Sequence, residues 1–307
     1  MGQGREIRRH QAGLTRAERT GDIAMLSGQP SRTMLRPAVM RAAHQLFDRP
    51  LILNDPVVVG LVPETSEQAI LAAVEDHRTP AALRHRAMFT LRNRFTEDRL
   101  ASAAARNVRQ YVMLGAGLET FPWRQPEFAR DMRIFFSDHP ATLSWTKGRF
   151  RDRGLAVPTN LTFVPADLKE PQLGQRLAEC GFEHDASSFF SILGVIPYLD
   201  AASIDSMLGF LASLPKKSEA VFSFAVPDEE LNGDDRDERR ADVSLSEDMG
   251  EPWLTRVGPA DMIAWGSRFE FSDVFHLTPD LAQRRYFALR KDLLRAPRRE
   301  QIISVSR

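Results

Sequence analysis

From Arg109 onward the chain alternates short apolar runs with longer helical stretches, and this alternation restricts the fold more than any other feature. Gln110 to Leu114, Arg133 to Phe136, Leu161 to Val164, Ser188 to Val195 and Ala220 to Ala225 have the composition of strands. Pro140 to Arg153, Gln172 to Glu179 and Ala201 to Leu214 read as helices between them. The fourth and fifth runs are nearly continuous in apolar residues, as strands buried on both faces must be. The spacing therefore predicts an α/β fold built on a doubly wound parallel sheet. Two more strands are expected at Phe269 to Phe275 and Arg285 to Arg290. With no helix between them they would pair as an antiparallel hairpin at the sheet edge, giving a seven-stranded, Rossmann-like sheet.

The residues before this sheet have a different texture. Residues 1–30 are polar, Arg-rich and aperiodic, and read as a flexible arm. Ser31-Arg32-Thr33 offers a helix start before Met34 to Phe47, and Asn54-Asp55-Pro56 marks a turn between helical pieces. Thr65 followed by Gln68 is a capping-box pattern for a helix over Thr65 to His77. Ala81 to Arg106 is long and amphipathic. These pieces divide the chain into an arm (1–30), an N-terminal helical lid (31–108), a core (109–292) and a C-terminal tail (293–307). The mixed-charge segment Asp228 to Met249 is read as a solvated loop or helix without function, and Gly258 to Trp265 as a short helix.

Charge and composition narrow the function. Lys plus Arg equals Asp plus Glu, 41 against 41, so the basic excess of a nucleic-acid binder is missing. The single cysteine, Cys180, excludes an internal disulfide and suits a reducing compartment. No apolar run approaches the roughly 20 residues that span a bilayer, and the basic N-terminus lacks the apolar stretch of a signal peptide. A soluble, cytoplasmic protein is expected, without a metal site, acting on a small molecule rather than on nucleic acid or membrane, with a homodimer open.

In an open parallel sheet, ligands bind beyond the carboxyl ends of the strands, where strand order reverses. Gly115-Ala116-Gly117 follows the first strand there. A glycine turn alone is weak, because a tight strand-to-helix turn needs glycine for structural reasons. Asp138 closes the second strand 21 residues beyond Gly117, a place from which a carboxylate reaches ribose hydroxyls. Asp167 and Leu168 follow the third strand, and Gly194-Val195-Ile196-Pro197-Tyr198-Leu199 the fourth. The competing reading is that Asp138 and Asp167 only cap the helices after them. A nicotinamide dehydrogenase is disfavoured, since Thr120 stands where a third glycine would be.

At these residues the sequence resembles the leucine carboxyl methyltransferase-like family of class I S-adenosylmethionine-dependent methyltransferases. Within it, the chain is similar to the small-molecule branch that includes polyketide O-methyltransferases. The resemblance rests on Arg109 to Phe121, Ser137 to Trp145, Phe163 to Leu168, Leu193 to Leu199, the Arg92-Asn93-Arg94-Phe95 helix and the Asn54-Asp55-Pro56 turn. It covers roughly residues 31–290. The resemblance implies S-adenosyl-L-methionine as cofactor, with Arg94 on its carboxylate and Gly115, Ala116 and Gly117 passing beneath its methionine part. It further implies Asp138 on the ribose, His139 supporting that loop, and Asp167 with Leu168 on the adenine. Arg41 is a weaker candidate for a second contact.

Three positions depart from the family pattern. Phe136 and Leu193 stand where glutamates are common, and Glu119 where aspartate is usual. A non-catalytic, regulatory member is therefore an alternative to a small-molecule O-methyltransferase, and the resemblance adds a second, a protein C-terminal carboxyl methyltransferase as in the family's eukaryotic branch. A carboxylate acceptor needs no base, whereas a phenol does. His44 is a candidate for that base and Tyr198 for a polar contact with the acceptor; Trp253 and Trp265 are read first as core residues and only second as aromatic packing against the acceptor.

Overall fold

The structure, a computed structural model, describes residues 30–63, 68, 70–72 and 75–307. The expected arm at 1–29 and the capping residue Thr65 lie outside the described residues. Strands β1 (Gln110–Leu114), β2 (Arg133–Asp138), β3 (Leu161–Pro165), β4 (Ser188–Ile192), β5 (Glu219–Ala225), β6 (Asp273–Leu277) and β7 (Glu300–Ser306) form one sheet of order β3-β2-β1-β4-β5-β7-β6. The first five are parallel; β7 runs antiparallel to both β5 and β6. The doubly wound, seven-stranded expectation holds.

Alternation along the strands sorts the core into two layers. Val112 and Leu114 of β1, Phe135 of β2 and Phe190 and Ile192 of β4 face one side. There they meet Leu177 of α5 (Leu173–Glu179) and Ile204, Met207 and Leu208 of α6 (Ala201–Ala212). Tyr111 and Met113, Ile134 and Phe136, and Phe189 face the other side. That layer is closed by Leu91, Phe95 and Leu100 of the long helix α3 (Pro80–Ala105) and Phe150 of α4 (Pro140–Asp152). Phe136 packs among Phe150, Phe163 and Trp123, so one of the family's missing glutamates is replaced by a core aromatic. A third cluster joins α1 (Leu35–Phe47) and α2 (Val57–Leu61) to Leu118 beside the glycine turn.

Two expectations fail at the C-terminal end of the sheet. Arg285 to Arg290 is not a strand: Thr278 caps a short helix, α9 (Pro279–Ala282), whose last turns widen into a π-helix over Gln283–Phe287. Proline at the first helical position and a side-chain cap begin a helix, and the short apolar run Tyr286 to Leu289 after it could not override that start. The seventh strand is instead Glu300–Ser306, inside the segment read as a tail. It lies between β5 and β6, so the antiparallel edge pair exists but is not a hairpin: residues 278–299 intervene. The charged segment is a helix, one of its two expected forms, but it is not solvated on every side. It is helix α7 (Gly233–Asp248), capped by Asn232, with Asp235, Arg239, Asp242 and Ser246 buried along one face. Helix α8 (Pro259–Arg268) follows, and Trp265 on it packs against the core. No helix among the described residues is long and apolar enough to cross a membrane.

Candidate cofactor and acceptor site

The strand order reverses between β1 and β4, and a cavity of about 300 Å³ opens at their carboxyl ends. Gly115 begins its floor. Its φ is +65°, and a Cβ there would sit 2.4 Å from Val195 Cγ2, so both torsion and contact require glycine. The turn is tied to β2 by Ala116, whose N–H donates to the Ser137 carbonyl at 3.1 Å. Gly117 N–H donates to Asp138 Oδ2 at 2.7 Å, and His139 N–H to Oδ1 at 2.7 Å. Burial pushes the Asp138 carboxyl up to about 6, although those two N–H groups oppose it. His139, not Asp138, caps α4: its Nδ1 accepts from Ala141 N–H at 3.3 Å. After β3, Asp167 Oδ1 accepts from Lys169 N–H at 2.9 Å and closes a turn, with Leu168 beside it on the cavity wall.

Under the glycine turn lies a network of buried charges. Arg41 donates to Asp55 Oδ2 at 3.0 Å, to Glu119 Oε1 at 3.3 Å and to the Leu118 carbonyl at 2.6 Å. Glu119 also accepts from the N–H groups of Thr120 (2.7 Å) and Phe121 (3.0 Å) and from Asn93 Nδ2. Burial alone would raise the Glu119 carboxyl, but Arg41 and Arg124 hold it below its ordinary value. Arg41 lines the cavity, yet its guanidinium is committed to these partners. It holds the turn in place.

Helix α3 presents Arg92 and Asn93 to the cavity. Arg92 is buried, pairs with Glu300 Oε1 at 3.1 Å and lies 4.8 Å over the Phe89 ring. Its Nε is buried without a partner. Gly194, at φ +71°, makes room for it: a Cβ would come within 2.8 Å of Arg92 Nη1. Arg94 is a correction. It is half-exposed on the opposite side of α3 and pairs with Asp98 at 2.9 Å, away from the cavity. His44 is a second. It is fully buried, its Nδ1 lies 2.8 Å from Asp48 Oδ2, and its Nε2 accepts from the N–H of Ile52 at 2.9 Å. Both ring nitrogens are consumed in the fold, so His44 is no base. Tyr198 does line the cavity, edge-on to Trp253 with centroids 6.4 Å apart.

Sequence reasoning missed the far wall. Helix α7 contributes Arg239, Asp242, Leu245 and Ser246, and Arg299 just before β7 and Glu300 at its start complete it. Asp242 gathers Arg36 (2.6 Å), Arg299 (2.7 Å) and His85 (3.2 Å). These hold its carboxyl well below the usual range despite burial. The signal existed in Asp235, Arg239, Asp242 and Ser246, which recur at helical spacing, but on a polar face that hydrophobic periodicity does not register. The rim is closed by Glu251, which accepts from Ser31 Oγ (2.8 Å), Arg32 N–H (2.5 Å) and Thr33 Oγ1 (2.5 Å).

A doubly wound sheet with a reversed last strand, a glycine turn after β1 and an acid at the end of β2 defines a class I methyltransferase. Solved structures share this fold. A crystal structure described as a "putative methyltransferase" from Thermobifida fusca YX has a TM-score of 0.56 at 16% identity, covering 92% of this chain and 97% of that one. A "duf574 family protein" from Streptomyces avermitilis MA-4680 gives 0.53 at 14% identity, covering 87% and 96%. In sequence, the family model for leucine carboxyl methyltransferase matches residues 34–212. The "Putative S-adenosyl-L-methionine-dependent methyltransferase YktD" of Bacillus subtilis (strain 168) is 30% identical over 304 residues, which is 89% of this chain and 96% of that protein. The chain belongs to the leucine carboxyl methyltransferase family and is an S-adenosyl-L-methionine-dependent methyltransferase.

Proposed function

We propose that this methyltransferase acts at oxygen, on a carboxylate or hydroxyl of a small, aromatic or polyketide-like metabolite. The observation behind this reading is the wall facing the glycine turn, where Met88, Phe89, Leu193, Tyr198, Leu245 and Trp253 surround the cavity. Such a wall takes up a flat apolar body, each 100 Å² of it contributing about 2.5 kcal/mol. Polar groups are set among these side chains, Arg92 beside Phe89 and Arg239 beside Trp253, as well as at the strand ends.

The residues present fit the cofactor. Gly115 and Gly194 take left-handed torsions and let Val195 and Arg92 close up against the two turns, and the buried Arg92 guanidinium keeps an unpartnered Nε at the cavity. Asp138 holds the ribose hydroxyls with lone pairs left over from its two backbone N–H bonds. Asp167 and the Leu168 backbone hold the adenine. Arg92, rather than Arg94, takes the methionine carboxylate, and Arg41 steadies the turn through Glu119. When bound, S-adenosyl-L-methionine supplies an electrophilic methyl on a sulfonium. The chain's own residues then orient the acceptor oxygen in line and exclude water, the source of most of the rate in such a displacement. A carboxylate arrives ionised and needs no base, which accords with a cavity that His44 does not reach.

A screen with isotopically labelled cofactor against aromatic acids and phenols, read by mass spectrometry, tests the reading. O-methylated product from at least one aromatic class is expected, and lost with Asp138→Ala. No product from any of these acids or phenols, with methylation appearing only when amines, thiols or protein C-termini are added as acceptors, would overturn it.

A further inference from the structure

Resting on that reading, one charge on the far wall stands apart. Arg239 is 2% exposed and lines the cavity. Its Nη1 donates to the Val226 carbonyl at 2.6 Å and its Nη2 to the Arg299 carbonyl. The neighbouring cavity arginines each have a carboxylate: Arg41 has Asp55 at 3.0 Å, Arg92 has Glu300 at 3.1 Å and Arg299 has Asp242 at 2.7 Å. Arg239 has no ion pair among the described residues. A guanidinium carries five N–H donors, and two carbonyls leave several unused.

The surroundings select the kind of partner. Arg239 Cζ lies 5.1 Å from the Trp253 ring centroid, and Tyr198 packs edge-on against that same ring. Trp253 Nε1 is buried without a partner, a second idle donor in the same cluster. Leu245 and Leu254, 40% and 53% exposed, form an apolar rim on the approach. Burial and the nearby Arg299 lower the Arg239 pKa to about 10, which leaves it cationic at neutral pH. An unpaired cation in so dry a place is costly, and an anion delivered to it is bound more strongly than in water.

We propose that Arg239, with Trp253 Nε1, anchors a carboxylate of the acceptor and makes this enzyme selective for organic acids with an apolar body. The planar fork suits two carboxylate oxygens, and the Trp253 and Tyr198 rings flank the rest of the molecule. Arg239 is thus a specificity-determining residue, separate from the cofactor contacts at Asp138 and Arg92.

The test measures binding in two steps. Calorimetry with S-adenosylhomocysteine first reports the cofactor site alone. Ligand-detected NMR then compares benzoate, 4-hydroxybenzoate, 2-naphthoate and decanoate with their neutral amides, with and without S-adenosylhomocysteine. At least one acid is expected to bind ten-fold or more tightly than its amide. Arg239→Met should abolish that preference, Arg239→Lys restore part of it, and Trp253→Phe, which keeps the ring and removes the N–H, reduce it several-fold. Affinity for S-adenosylhomocysteine should stay unchanged in all three. Equal binding of acids and amides, binding of none of the panel, or a preference that survives in folded Arg239→Met or Trp253→Phe would each overturn the anchor. Should Arg239→Met fail to fold, the Trp253→Phe result decides. Loss of S-adenosylhomocysteine binding by the wild-type protein would instead refute the cofactor assignment, and the ligand-free comparison still reads the anchor.

Discussion

With Asp138 on the ribose as proposed, cofactor binding should depend on pH. The Asp138 carboxyl titrates near 6 in the folded protein, above the roughly 3.9 of an unfolded aspartate. Between those values the folded chain holds a proton the unfolded chain has lost. Stability of the ligand-free protein therefore falls as pH rises from about 4 to about 6. The ionised form is the better acceptor for two ribose hydroxyls, so cofactor affinity should rise over the upper part of that range and level off above it. Asp138→Asn is expected to flatten both profiles and weaken binding at pH 7.5 about ten-fold or more, as loss of a charge-assisted bond implies. Calorimetry and thermal melts across pH 4.5–8 check both. A second pair of variants separates Arg92 from Arg94. Arg92→Lys keeps the charge but loses the fork, and should cost cofactor affinity about ten-fold. Arg94→Ala removes an exposed pair with Asp98 and should change stability by less than about 0.5 kcal/mol and binding not at all. The motif containing both arginines was legible in the sequence; the choice between them was not. Two positions on a helix are about 200° apart, so one must face the cavity and the other leave it. Which does so is decided by how α3 rests on the sheet, a tertiary fact. Asp138, Asp167 and the glycine turn could be placed because strand ends fix them locally.

At the level of elements, the turn after β4 and helix α3 are fitted to each other through Gly194. Gly194→Ala forces a side chain into a left-handed torsion and against the Arg92 guanidinium. The torsion alone costs about 1–2 kcal/mol. A lower melting temperature together with weaker S-adenosylhomocysteine binding is expected, where a merely structural glycine would show only the first. The parallel strands were readable because they are apolar on both faces. Helix α7 was readable only as charge, because its buried face carries Asp235, Arg239, Asp242 and Ser246. Asp242 is satisfied by partners far away in sequence, Arg36, His85 and Arg299, which no local pattern reveals. The seventh strand has a local signal in Ile302, Ile303 and Val305, but the apolar run within Arg285 to Arg290 reads as the strand instead.

For the molecule as a whole, Glu251 fastens Ser31, Arg32 and Thr33 across the cavity rim. Ser31, Thr33 and Met34 all line the cavity, so this clasp stands between the cofactor turn and solvent. Glu251→Ala is expected to raise the dissociation rate of S-adenosylhomocysteine several-fold by stopped-flow fluorescence, with the fold intact by circular dichroism. An unchanged rate would show that the cofactor leaves by another path.

The position of β7 bears on how the protein reaches its native state. Strand β5, Glu-Ala-Val-Phe-Ser-Phe-Ala, is buried along its whole length, and β7 covers one of its edges. Among the described residues, strand β6 has β7 as its sole sheet neighbour. Until residues 300–306 have been synthesised, a nascent chain therefore displays an apolar strand edge, the kind of surface that recruits other chains. A chain ending at Arg299 should accumulate in inclusion bodies, and supplying residues 300–306 as a separate peptide during refolding should recover soluble protein. The last strand of the sheet is thus also its guard against aggregation.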